Sequence, residues 1–154
     1  MHMKHMRTHQ GGFSMIEVLI AIVVLAIGLL GFALLQTMNL RYTQSANSRT
    51  IATNLAYSLL DQMRTNRLSA AQYAASASFA TNELTEADCT TLGTDSVSKG
   101  IANWKCQVLG TLGPSTAAVV NYNAAGMVSI ELTWGERTNV TSEASTRFVV
   151  SSQL

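Results

Sequence analysis

The first third of the chain contains one long apolar block. Residues 18–35 carry no charged side chain, and Glu17 is the single acid in residues 13–35. As a helix with a rise of 1.5 Å per residue, residues 13–35 would be about 34 Å long, which is enough to cross the hydrocarbon core of a bilayer. The pattern therefore predicts one membrane-spanning helix.

Apolar residues continue at helical spacing beyond this block. They recur at offsets of 0, 3, 4, 7, 8 and 11 residues, at Ala52, Leu55, Ala56, Leu59, Leu60 and Met63. Neither Pro nor Gly occurs in residues 36–92. The spacing predicts that residues 13–68 form one helix, apolar all round in its first half and amphipathic from residue 36 to residue 68.

The last part of the chain has a different pattern of polar and apolar residues. Residues 69–88 are rich in Ala, Ser and Thr and predict a connecting segment with at most a short helical turn. Residues 101–109 and Met127–Trp134 alternate in polarity, which is typical of half-buried strands. Pro114 lies between Gly113 and Ser115 and predicts a turn between strands.

Residues 135–139 supply turn-forming side chains, and residues 146–150 are suited to return as an antiparallel strand. Together these segments predict an α+β fold, in which the second half of the long helix packs on a small antiparallel sheet. Residues 69–154 would then form a globular domain beyond the helix.

Charge places this domain outside the cytoplasm. Lys4 and Arg7 precede the apolar block, and the positive-inside rule keeps them cytoplasmic while everything after residue 35 is exported. An ordinary secretory signal does not fit, because the block is too long and no small-residue cleavage site follows it. The net charge of +1, with no long Lys or Arg run, disfavours strong nucleic-acid binding.

Cys89 and Cys106 both follow the apolar block. In an oxidising periplasm they are expected to form a disulfide that stabilises a domain with a small core. Two buried free thiols are the alternative.

The most informative side chain is Glu17, a carboxylate near the cytoplasmic end of the membrane helix. A charged group at the centre of such a helix costs about 2.5 to 3.5 kcal/mol on insertion scales, so intramembrane acids usually have a partner. Cleavage after Gly12 would create an α-amine on Phe13, one helical turn before Glu17 and on the same face. The two groups could pair within one chain or between adjacent chains. A plain signal anchor, with Glu17 in the headgroup layer, is the alternative.

Other residues allow both a functional and an ordinary interpretation. Gly28 and Gly31 could let the helix bend, could form a close-packing surface, or could be ordinary membrane-helix glycines. A polar cluster near the helix end could contact partner subunits or could be solvated; it comprises Asp61, Arg64, Asn66 and Arg67. A metal site is not expected at His2, His5 and His9, since they lack a Cys or carboxylate partner.

Residues 36–154 contain no His and offer no nucleophile with an evident base and no phosphate-binding loop. We therefore predict a protein that is not an enzyme and that needs no cofactor.

The sequence GGFSMIEVLIA at residues 11–21 resembles the class III signal of type IV pilins and of type II secretion pseudopilins. The resemblance implies cleavage after Gly12 by a prepilin peptidase, so that residues 1–12 are a leader. It also implies N-methylation of Phe13 by the same enzyme and pairing of Glu17 with the N-terminus of a neighbouring subunit. The implied fold is a helix packed on an antiparallel sheet.

A second likeness concerns the minor pilins known as PilV, or type IV pilus modification proteins. It rests on AIGLLG at residues 26–31 and LDQMRTNR at residues 60–67, with LTW at residues 132–134 at most similar. This likeness implies a minor pilin that acts in assembly or priming, with major and minor pilins and the inner-membrane assembly machinery as partners. It also implies support of twitching motility or adhesion. Many major pilins have their cysteine pair near the C-terminus, whereas Cys89 and Cys106 lie in mid-chain.

Two other functions share much of this pattern. A minor pseudopilin of a type II secretion system has the same N-terminal features. A pilus-tip adhesin or DNA-uptake receptor could be built on the same stem.

Overall fold

A computed structural model describes residues 11–90, 93–135 and 145–154. The chain divides into two units, Met1–Tyr42 and Thr43–Leu154, which are described separately below. Lys4, Arg7, His2, His5 and His9 lie outside the described residues.

One helix, α1, runs from Met15 to Thr65. In the first unit its side chains are exposed throughout, as an apolar membrane helix requires. In the second unit it buries one stripe of side chains, and this stripe is the predicted set: Ala52, Leu55, Ala56, Leu59, Leu60 and Met63. The predicted change from an all-apolar to an amphipathic helix is therefore confirmed.

The second unit contains a three-stranded antiparallel sheet. Its strands are β1 (Ala117–Tyr122), β2 (Met127–Trp134) and β3 (Thr146–Gln153), in the order β1-β2-β3. Burial alternates along β2, so that Val128, Ile130, Leu132 and Trp134 all lie in the core. This alternation confirms the predicted strand and the α+β class of the fold.

The β1–β2 hairpin turns at Asn123 and Gly126. The Asn123 side-chain oxygen accepts hydrogen bonds from the N–H groups of Ala125 and Met127, at 3.1 and 3.0 Å. Gly126 has a φ of 78°, in the left-handed region that glycine adopts without steric penalty. The local sequence therefore specifies where the chain reverses direction between β1 and β2.

The described part of the second unit also contains two further α-helices. They are α2 (Ala70–Ala77) and α3 (Ser96–Leu112). The predicted strand at residues 101–109 was wrong, because this segment lies within α3. The buried side chains of α3 recur at offsets of 0, 4, 7, 11 and 15 residues, at Val97, Ile101, Trp104, Val108 and Leu112. Over this longer window the helical period outweighs the short alternation within residues 101–109.

Other local predictions also need correction. Pro114 follows a helix and not a strand, because α3 ends before it and Gly113 adopts a φ of 89° at the helix end. The segment at residues 69–88 contains a full helix, α2, where at most one turn was predicted; Ala70, Tyr73 and Ala77 of α2 are buried. The turn predicted at residues 135–139 lies outside the described residues, apart from Gly135.

Trp104 joins α3 to α1 within the second unit. Its side chain is 1% exposed, and its Nε1–H donates a hydrogen bond of 2.8 Å to the carbonyl oxygen of Leu55. Phe79 meets the indole edge-on, with ring centroids 6.4 Å apart. The core is thus built from α1, α2, α3 and the inner face of the sheet.

Candidate processing and assembly site

The segment before α1 is non-helical and exposed. Residues 11–14 lie outside any helix or strand, and all four are exposed. A Cβ added at Gly11 or Gly12 would meet no atom within 4 Å, so the backbone on both sides of this glycine pair is open. An enzyme can therefore reach the bond between Gly12 and Phe13 without displacing other parts of the described chain.

Phe13 and Glu17 lie on the same side of the first unit. Both line one shallow surface, together with apolar side chains of the first turns of α1: Val18, Ala21, Ile22 and Leu25. The Phe13 side chain is 84% exposed. The spacing of four residues that suggested a pair in the sequence therefore corresponds to a shared surface.

The rest of the first unit offers a continuous apolar surface. None of the side chains in its most apolar 18-residue window is buried, and α1 is long and apolar enough to cross a membrane. Exposed apolar surface of this extent marks a membrane or protein contact in a stable protein. Lipid, or other helices of the same kind, is the environment that this surface fits.

Gly28 and Gly31 lie within this surface. A Cβ at either position would meet no other atom within 4 Å. Both glycines therefore leave room on the outside of the helix, which would allow the backbone of another helix to approach closely.

The polar cluster at the far end of α1 is largely engaged with its own chain. Arg64 pairs with Asp61 at 3.2 Å and donates a hydrogen bond of 2.8 Å to the hydroxyl of Ser152 on β3. The Asn66 amide donates to the carbonyl oxygen of Gln62 at 3.1 Å. The contact between Arg64 and Ser152 holds the end of α1 against β3, a role that the sequence did not indicate.

A disulfide joins Cys89 to Cys106 within the second unit, with their Cα atoms 5.6 Å apart. Cys89 belongs to a short 3-10 helix, Glu86–Thr90, and Cys106 lies on α3. In the chain-entropy model, closing a loop of this length stabilises the folded state by about 3 kcal/mol. The bond therefore fixes the segment before α3 to that helix.

Two charged side chains, Asp95 and Lys105, also make local contacts that stabilise α3. Asp95 and Ser98 form a capping box at its start, and the hydrogen bond from Ser98 lowers the pKa of the Asp95 carboxyl. Partial burial lowers the pKa of Lys105, whose Nζ lies 5.7 Å from the centre of the Phe79 ring. These contacts stabilise the helix that holds Trp104 and Cys106.

The N-terminal part of the chain matches a known family. A model described as the prokaryotic N-terminal methylation motif matches residues 7–33. The chain matches no curated protein. It matches no solved structure either.

The methylation motif and the fold together support one class of protein. The matched residues include Gly12, Phe13 and Glu17 and much of the apolar helix. The motif supports a type IV pilin-like or pseudopilin precursor that is processed by a prepilin peptidase and assembles with pilus-type machinery. It indicates membrane anchoring through α1 and a structural subunit.

Ser14 had no role in the sequence-based predictions above. It lies directly before α1, and its carbonyl oxygen accepts hydrogen bonds from the N–H groups of Glu17 and Val18, at 3.0 and 3.3 Å. The spacing Ser-x-x-Glu at Ser14 and Glu17 is a known signal for the start of a helix. This spacing could have identified Ser14 as the residue before α1.

Proposed function

We propose that this chain is a minor pilin of a type IV pilus, made as a precursor and cut between Gly12 and Phe13. Residues 1–12 are the leader, residues 13–35 the membrane helix and filament core, and residues 36–68 its amphipathic continuation. Residues 69–154 form the exported domain. The shared surface of Phe13 and Glu17 on an uncovered apolar helix is the observation that carries this proposal.

Cleavage makes Phe13 and Glu17 complementary. Hydrolysis of the Gly12–Phe13 bond leaves a carboxylate on Gly12 and an amine on Phe13. The prepilin peptidase then transfers one methyl group to that amine from a sulfonium-type methyl donor, and the nitrogen loses one proton. A methylated secondary amine still carries a positive charge at neutral pH. It can therefore pair with the carboxylate of Glu17 in the same chain or in a neighbouring one.

Filament assembly exchanges one apolar environment for another. In the inner membrane the N-terminus is cytoplasmic, the domain is periplasmic, and lipid surrounds the exposed side chains of α1. In the filament the same side chains pack against helices of major and minor pilins, and Gly28 and Gly31 permit close approach. Pairing of Glu17 with the amine of an adjacent Phe13 selects the axial register, because a misaligned neighbour would leave a charge unpaired in apolar surroundings.

Sequence likeness to PilV favours a subunit of low abundance that acts in assembly or priming and thereby supports twitching motility or adhesion. Deletion of the gene in its native host tests this function. We expect surface pili to fall at least tenfold and type II secretion to continue, and we expect the intact gene to restore piliation. Normal piliation with blocked secretion would contradict the proposal and identify a pseudopilin.

A pilus-tip adhesin or DNA-uptake receptor predicts a different result. Pili would then remain after deletion, and only surface binding or DNA uptake would be lost. The net charge of +1 gives no support for strong DNA binding.

A further inference from the structure

The sheet has two outer edges, and the chain closes the one that β1 forms. The N–H of Phe79 donates a hydrogen bond of 2.9 Å to the carbonyl oxygen of Ala118, and the carbonyl oxygen of Phe79 accepts one of 3.0 Å from the N–H of Ala118. The hydroxyl of Ser78 accepts a hydrogen bond of 3.0 Å from the N–H of Val120. The segment that follows α2 therefore satisfies outward backbone groups in the middle of β1.

The opposite edge of the sheet is formed by β3. The N–H of Leu154 donates a hydrogen bond of 2.9 Å to the carbonyl oxygen of Gly126, in the turn before β2. Backbone groups point to alternate sides at successive residues of a strand, so this bond shows that even-numbered residues of β3 pair with β2. The odd-numbered residues direct their N–H and C=O groups away from the sheet. Within the described part of the chain, no hydrogen bond is donated by the N–H groups of these residues: Arg147, Val149, Ser151 and Gln153.

The core is also less complete beside β3 than beside the other two strands. On the inner face of the sheet, Ala118 and Val120 of β1 are 1% and 4% exposed, and Ile130 at the centre of β2 is fully buried. The inner-face residues of β3, which include Phe148 and Val150, are only partly buried. An apolar side chain beyond β3 would lie beside these two residues and extend the core.

The β3 edge lacks the features that usually prevent a sheet from pairing with another chain. Such features are Pro, Lys, β-bulges and short strand length. Strand β3 has eight residues, contains neither Pro nor Lys, and keeps one unbroken register with β2. Its one charged side chain, Arg147, contacts the carboxylate of Glu131 on β2 at 2.6 and 2.8 Å. An added strand would therefore meet a regular edge with little net charge.

Symmetry argues against a second copy of this chain as the added strand. Antiparallel pairing of two β3 strands requires a two-fold axis perpendicular to the sheet. Such an axis reverses every direction in the plane of the sheet, including that of the α1 segment packed on its inner face. Subunits of the proposed filament share one direction, so the partner that fits is a different subunit.

We propose that β3 receives an extended segment of a different pilus subunit, which adds to the sheet as a fourth strand. Backbone groups of that segment pair with the outward groups of the odd-numbered residues. Its alternate side chains are apolar and cover Phe148 and Val150. The identity of the partner as a pilus subunit rests on the proposed function, whereas the open edge is a property of the described fold.

Val149→Pro tests this pairing in the native host. Proline removes the outward N–H of residue 149 and obstructs an added strand, but it deletes no hydrogen bond to β2 and is tolerated at sheet edges. Recovery of the variant in sheared pili, relative to its amount in membranes, is expected to fall at least about tenfold, because main-chain hydrogen bonds carry the affinity of strand addition. Val149→Ala keeps the N–H and is the matched control, with recovery expected within about twofold of normal.

Hydrogen–deuterium exchange of the unaltered full-length protein supplies a second measurement that needs no substitution. Residues 145–154 are expected to take up less deuterium in sheared pili than in the detergent-solubilised protein, because assembly protects the outward N–H groups. Residues 117–122 are the internal control, since their edge is already closed, and their uptake should not change.

Four results would overturn the proposal. They are normal recovery of Val149→Pro, equal loss of Val149→Ala, no added protection of residues 145–154 in pili, and full protection of these residues in dilute solubilised protein. Protection that grows with the concentration of the solubilised protein would identify a second copy as the occupant and would also overturn it. A precursor left uncut at the Gly12–Phe13 bond is a separate result, which refutes the proposed function and leaves the exchange of β3 to be measured independently.

Discussion

Replacing Glu17 by alanine is expected to leave membrane insertion and the final extent of cleavage nearly intact and to reduce incorporation into filaments at least tenfold. The variant removes one partner of a charge pair that assembly buries among apolar helices. Loss of one partner from a buried pair commonly costs about 3 to 5 kcal/mol, because the remaining charge is left without a counter-ion. A tenfold loss requires only about 1.4 kcal/mol.

Immunoblots of sheared surface filaments and of membrane fractions measure this effect. Glu17→Gln keeps the size and hydrogen-bonding capacity of the side chain but removes its charge, so incorporation should also fall. Glu86→Ala removes an exposed acid from the second unit and should assemble normally. Normal incorporation of both Glu17 variants would refute the pairing role.

Replacing Trp104 by alanine is expected to destabilise the second unit by about 3 to 5 kcal/mol, the usual range for deleting a large buried aromatic side chain. Trp104 is 1% exposed, contacts Phe79, and donates a hydrogen bond to the carbonyl of Leu55. The alanine variant loses both the volume of the buried indole and the hydrogen bond that joins Trp104 to α1. The melting temperature should fall by at least about 10 °C.

Thermal unfolding of the detergent-solubilised full-length protein, followed by near-UV circular dichroism, measures this change. Trp104→Phe restores much of the volume without the N–H group and should lose less stability than alanine. Tyr57→Ala serves as a control on α1, because that side chain is 48% exposed. A melting temperature within 2 °C of normal for Trp104→Ala, roughly the change expected for less than 1 kcal/mol, would contradict the described core.

The N-terminal half of the fold could be predicted from the sequence because its signals are local and long. The apolar block alone predicts a membrane helix, and the stripe from Ala52 to Met63 repeats over more than three turns. The apolar block and the buried stripe can both be recognised from the side chains of a single helix. Phe13 was predicted to belong to the helix, but α1 begins at Met15, so the surface that Phe13 shares with Glu17 is not set by helical geometry alone.

The segment from residue 69 to residue 122 was harder to predict. The alternation at residues 101–109 occupies a window in which helix and strand patterns overlap, and only the wider spacing that includes Val97 and Leu112 distinguishes them. Strand β1 is short and carries only one alternating pair of buried residues, Ala118 and Val120. Its place beside β2 is set by the hairpin at Gly126 and by tertiary packing, which no local pattern expresses.

Long-range contacts explain the remaining differences between the sequence-based predictions and the structure. Arg64 looked like a solvated or partner-binding side chain, because its hydrogen-bond acceptor, Ser152, lies 88 residues away in the chain. Tyr73 stabilises α2 in its packed position, because its side chain is buried in the core. Such contacts depend on the complete fold and leave little trace in a sequence window.

The most direct test is mass spectrometry of the protein isolated from membranes and filaments. We predict a mature chain that begins at Phe13, lacks residues 1–12 and carries one added methyl group on its N-terminal amine. A protein that functions with residues 1–12 still attached would contradict this prediction, because Glu17 would have no free Phe13 amine with which to pair. A cut after residue 35 would also contradict it, because the mature chain would then lack both residues.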